Sequence, residues 1–240
     1  MNACMRTDVS CSSCCGLNNL NLTDQERRKY LRDNTEQFLQ TDISQAENIV
    51  QFRQAGEQRL ESLRIIREHY VCPFLGELSE SHSGCLLHPL GSPHSQISLW
   101  EHPQNFSFYG EGICLAFDCL AKENNLSQSI SATGYIRYSR LAAHYNLLKG
   151  MVRLAKNVPS VLNNLRELAM HTLEKEQAPV TGFEPAVHLP EQFDDLTVHC
   201  AKMMCREWFL GQEIPEKKLK VYHDRILQIL ADSVSEPPNH

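Results

Sequence analysis

Three cysteines fall within five residues near the start of this chain, in the run CSSCCG at 11–16, and two more follow in CPFLG at 72–76 and GCLLHP at 84–89. This pattern constrains the fold more than any periodicity does. If the sulfurs serve one purpose, the backbone must loop back until three segments meet. Ser and Gly around Cys11, Cys14 and Cys15 let the chain curl so that several thiolates face one point. Soft thiolates select zinc, copper(I) or iron–sulfur clusters over hard ions such as magnesium or calcium. The competing readings are an accidental thiol-rich segment and a vicinal redox pair at Cys14 and Cys15.

The setting favours ligands. No stretch approaches the roughly 20 apolar residues that span a bilayer, and the opening MNACMRTDVS lacks the apolar core of a signal peptide, so a cytoplasmic protein with no membrane contact is expected. There thiols stay reduced, and 10 clustered cysteines read as metal ligands or redox groups before disulfides. A formal net charge of −6 without a Lys/Arg cluster leaves no electrostatic footprint for nucleic acid. At 240 residues the chain buries a sizeable core without cross-links.

The spacing of apolar residues predicts a mainly α protein. Thr23 and Glu26 form a capping box that starts a helix running to about Gln40. A second helix begins near Asp42 or Ser44, and the stripe Ile49, Phe52, Gly56, Leu60, Leu63, Ile66 and Tyr70 carries it up to Cys72. Together they make a helical hairpin over 23–70. From 71 to 130, Pro73, Pro89, Pro93 and Pro103 with repeated glycines forbid long regular elements. That stretch reads as irregular structure around a bound ion or cluster. The helical period returns from about Ser131 through Ala155, Pro159 opens a helix to about Lys175, and after the linker EQAPVTGFEPAVHLP two helices follow at roughly 190–210 and 215–233.

Cys72 and Cys85 sit beside Pro and Gly instead of on an apolar helical face, which is where a buried structural cysteine belongs. His88 is a candidate ligand or a supporting group. Cys114 and Cys119 lie five apart and share a site only if the backbone bends there. Cys200 falls on an apolar stripe and Cys205 does not, so Cys200 is expected to be core. His144, His199 and His223 stand singly on helices. Phosphate loops, Rossmann glycines, nucleophile elbows and HExxH are all missing from the sequence, which leaves NTP-dependent and hydrolytic chemistry without support.

The run CSSCCG followed by CPFLG and GCLLHP resembles the Cys-x-x-Cys-x-x-Cys-Cys proteins, the YkgJ-like group of zinc- or iron-chelating domains, to which the flagellin lysine methylase is related. The resemblance covers about residues 4–119. It implies Cys11, Cys14, Cys15, Cys72 and Cys85 as ligands of zinc or an iron–sulfur cluster. Two departures stand out: Cys4 lies too far from Cys11, and the family's Arg-Pro-x-x-Cys step is missing after Cys85, where Cys114 or Cys119 would replace it.

The expectation is therefore a metal-binding region over 1–130, which includes the hairpin, and a helical bundle over 131–240, packed together as one domain. The function expected is binding of zinc or an iron–sulfur cluster by a cytosolic protein with an unknown protein or small-molecule partner. The alternatives are an iron–sulfur-dependent modifying enzyme, methylase-like by the resemblance, and an interaction module with structural zinc. The aromatic run from Asn105 to Cys119, with Phe106, Phe108, Tyr109 and Phe117, is expected to fold over the centre as a lid.

Overall fold

The computed structural model describes residues 8–87, 130, 134–156, 158–179 and 187–235. Thr23 caps α1 (Asp24–Leu39): its side chain accepts the Glu26 N–H, and the Glu26 carboxylate accepts the Thr23 N–H at 2.7 Å, the reciprocal box that the spacing predicts. Leu31, Asn34 and Phe38 face inward. In α2 (Ala46–Glu61) the buried positions are Ile49, Phe52, Gly56 and Leu60, at helical spacing. A side chain at Gly56 would place its Cβ 2.6 Å from that of Pro73, so α2 lies directly against the chain beside Cys72. Phe52 stacks on Phe74 at 5.6 Å and meets Phe38 edge-on at 5.4 Å, an aromatic knot joining α1 and α2 to the 72–76 segment.

The apolar stripe predicts α2 continuing to Tyr70, but the helix stops at Glu61. Asn19, fully buried, explains the difference. Its side-chain amide donates to the carbonyls of Ile66 at 2.9 Å and His69 at 2.8 Å, and its side-chain oxygen accepts the Ile66 N–H at 2.8 Å. Backbone bonds from Ile65 to Asn19 and from Asn21 to Leu63 complete the clamp. A helix would use those same backbone groups internally; here tertiary partners take them.

The stretch from 71, read as irregular throughout, opens with regular structure: β1 (Leu75–Ser79) and β2 (His82–Cys85) form an antiparallel hairpin with Leu75 opposite Cys85 and Gly76 opposite Gly84. The strands are short enough to escape the Pro and Gly breaks. α1 holds them: Asn34 donates to the carbonyls of Pro73 and Leu75, and Thr35 donates to the carbonyl of Glu77.

The predicted helix from Ser131 to Ala155 is two, α3 (Tyr135–Ala142) and α4 (Tyr145–Ala155), hinged where His144 leaves helical geometry and its Nε2 meets the carbonyl of Met203 at 3.0 Å. Pro159 starts α5 (Pro159–Lys175) as expected. The single helix expected over 190–210 breaks after α6 (Phe193–Met203), and Cys205 precedes the short α7 (Arg206–Phe209). α8 (Glu216–Ser235) closes the bundle. The described chain is mostly helical around one hydrophobic core. No helix among the described residues is long and apolar enough to cross a membrane.

α3 ties the carboxy-terminal bundle to α1 and the β-hairpin. Arg140, 2% exposed, grips Asp24, and the same carboxylate takes Arg27, 1% exposed, at 3.1 Å. Tyr135 donates to Glu77 at 2.5 Å while the Arg28 guanidinium lies over its ring. The second contact places α3 beside β1, the partner of the strand that carries Cys85.

Candidate metal centre

The cysteine run begins in a tight turn. Cys15 N–H reaches the Ser12 carbonyl at 3.1 Å, Gly16 N–H reaches that of Ser13 at 2.9 Å, and a 3-10 turn follows over Leu17–Asn19. Its serines moor it on two sides. The Ser10 hydroxyl donates to the Ser83 carbonyl and accepts the Ser83 N–H, both at 2.8 Å, and Ser12 and Ser83 share a hydroxyl–hydroxyl bond at 2.8 Å. On the other side the Ser12 N–H donates to the Ser139 hydroxyl and Ser13 donates to the Ser139 carbonyl. The serines that let the chain curl also anchor the turn. Their polar pairing is invisible to periodicity.

Three cysteine-bearing segments converge as a result. The Cys72 N–H donates to the Cys15 carbonyl at 2.9 Å, and the Leu75 N–H donates to the Cys72 carbonyl at 3.1 Å. Leu75 in turn faces Cys85 across the hairpin. Ser83 and Cys85, two residues apart on β2, point to the same face of the strand, and Ser83 is the residue that Ser10 and Ser12 hold. Gly16 makes the approach possible: with φ at 88°, its added Cβ would lie 2.5 Å from the Tyr70 carbonyl oxygen and 2.7 Å from the Val71 Cα.

Cys11, Cys14 and Cys15 are partly exposed, Cys72 and Cys85 are buried, and none of the described cysteines forms a disulfide. The side-chain hydrogen bond from Cys15 lowers the pKa of the Cys14 thiol; burial opposes the shift, and the N–H groups of Cys14 and Cys15 assist it. Tyr30, on α1, stands near Arg59 and Cys72, and burial pushes its phenol up to about 12. Among the described residues no three His, Cys, Asp or Glu side chains stand close enough together to hold a metal ion. The fold gathers the sulfur-bearing segments without closing a donor set from them. His88, Cys114, Cys119, Cys4 and the aromatic run expected as a lid lie outside the described residues.

Cys200 and Cys205 form a second population. Cys200 is core, as its stripe predicts, with its sulfur against Gly150, whose added Cβ would meet it at 2.6 Å. Cys205 is equally buried, because the end of α6 at Met203 turns it inward, where its sulfur meets the Ala201 carbonyl at 3.4 Å. Burial pushes both thiols up to about 12, the reverse of Cys14.

No family model, curated protein or solved structure matches the chain.

Proposed function

We propose that this protein binds zinc or an iron–sulfur cluster through thiolates of the turn at 11–16 and of the 72–85 hairpin region. The observation that carries the reading is the direct backbone bond between Cys72 and Cys15, which joins two cysteine-bearing segments lying far apart in sequence. The resemblance to the YkgJ-like cysteine-cluster proteins supports the same set: Cys11, Cys14, Cys15, Cys72 and Cys85, with Cys114 or Cys119 supplying what the described residues lack. A closed set of four thiolates suits structural zinc, whereas an open position suits chemistry. The cytoplasm, where such thiolates stay reduced, is the proposed compartment.

Anaerobic purification followed by elemental analysis and an absorption spectrum tests this reading. Zinc in near-stoichiometric amount without visible absorption, or iron and sulfide with charge-transfer bands, supports it. A folded protein containing neither overturns it.

A further inference from the structure

A cleft of about 700 Å³ runs along the outer face of α2 and under the segment that follows it, far larger than packing defects and within the ~300–1,000 Å³ range of small-molecule sites. Arg53, Glu57 and Glu61 line it over two turns of α2, and Arg64, Arg67 and Tyr70 line it from the segment that follows the helix. The segment after α2 is tied down at its backbone. The clamp of Asn19 on Ile66 and His69 fixes the backbone that presents both arginines, and Arg64 reaches over to the Arg67 carbonyl at 3.3 Å. The buried Nε of Arg64 makes no hydrogen bond among the described residues. Cations after a helix C-terminus complement its dipole, but that role requires neither a cleft nor a clamped loop.

We propose that this cleft binds a sugar phosphate. Guanidiniums hold a phosphate through charge-assisted hydrogen bonds, and Arg67, with the N–H groups that Arg64 does not give to the Arg67 carbonyl, places that pole beyond the end of α2. Along the helix, Glu57, Glu61 and the amide of Gln58 offer acceptors for sugar hydroxyls, and those carboxylates disfavour a bare anion lying there. Arg53 pairs with Glu57 at 3.7 Å and holds that carboxylate in place. Tyr70 supplies a flat apolar surface for the ring.

Calorimetric titration of the full chain as purified, with glucose 6-phosphate, glucose and inorganic phosphate as separate probes, tests the proposal independently of the metal reading. The expected result is a Kd for glucose 6-phosphate below about 1 mM and at least about tenfold tighter than for either fragment. Arg64→Gln with Arg67→Gln should weaken it by about tenfold or more in protein that remains folded. If that double variant does not fold, Arg67→Gln at its exposed position carries the same test with a smaller loss. No binding of glucose 6-phosphate, equal binding of inorganic phosphate, or full affinity in the folded arginine variant would each overturn the proposal.

Discussion

The backbone N–H of Cys72 donates to the carbonyl of Cys15 at 2.9 Å, so the turn that holds Cys14 and Cys15 and the loop that enters β1 are one piece of structure. Two neighbours make the bond possible. Gly16 removes the side chain that would collide with Tyr70 and Val71, and Asn19 pins the 65–69 segment that leads there. The candidate centre depends on these uncharged residues as much as on its sulfurs.

Gly16→Ala should therefore damage stability and metal content together. A left-handed backbone carrying a Cβ, pressed against a carbonyl oxygen 2.5 Å away, costs about 2 kcal/mol or more. Urea unfolding and elemental analysis of the same preparation check this. Wild-type stability in this variant would show that the turn does not lie against Tyr70.

The two cysteine populations should separate on substitution. Cys14→Ser, Cys72→Ser and Cys85→Ser should each lower metal content and stability, because metal bound only by the native state is linked to folding. Cys200→Ser should cost about 1–3 kcal/mol by placing a hydroxyl in a packed, apolar site, with metal content unchanged. Metal lost from the Cys200 variant and retained in the Cys72 variant would reverse the assignment.

Asp24→Ala should be among the most damaging changes outside the cysteine region. It leaves Arg27 and Arg140, both almost fully buried, without their shared carboxylate. Removing one partner of a buried pair costs about 3–5 kcal/mol, and the 29% exposure of the Asp24 side chain places this case near 3 kcal/mol. Burial has already pulled Arg27 down to about 10 even with Asp24 present. A shift in urea midpoint worth less than 1 kcal/mol (roughly fivefold in the folding constant) would contradict this.

How much was legible in the sequence follows from which forces each element answers to. α1 was readable because Thr23 and Glu26 act within one turn. The buried face of α2 follows from apolar spacing, and so does Cys200. What was missed depends on partners distant in sequence: the early end of α2 is set by Asn19, the break before α4 by His144 meeting Met203, and the β-hairpin by α1 side chains that hold its carbonyls. In the candidate site the thiols were legible, while the serine anchors to Ser83 and Ser139 were not. A hydroxyl makes no periodic signal.

Alkaline pH should weaken the bundle through its buried thiols. Cys200 and Cys205 rise from an ordinary value of 9.0 to about 12 because burial disfavours the thiolate. Such groups favour the fold while protonated, so their contribution is complete below pH 9 and is lost as pH climbs from there toward 12, at about 1.4 kcal/mol per pH unit for each thiol. Urea midpoints on either side of pH 9 should fall more steeply in the wild type than in Cys200→Ala with Cys205→Ala. Parallel slopes would count against these thiols as the cause.

The most direct measurement of the central claim counts metal and reactive thiols together in anaerobically purified, native protein, before and after a chelator. Near-stoichiometric zinc or iron is the predicted result, with Cys11, Cys14 and Cys15 protected from a thiol reagent despite their partial exposure, and all three becoming reactive once the metal is withdrawn. A metal-free protein that is fully folded, with these three thiols titrating freely from the start, would contradict the account.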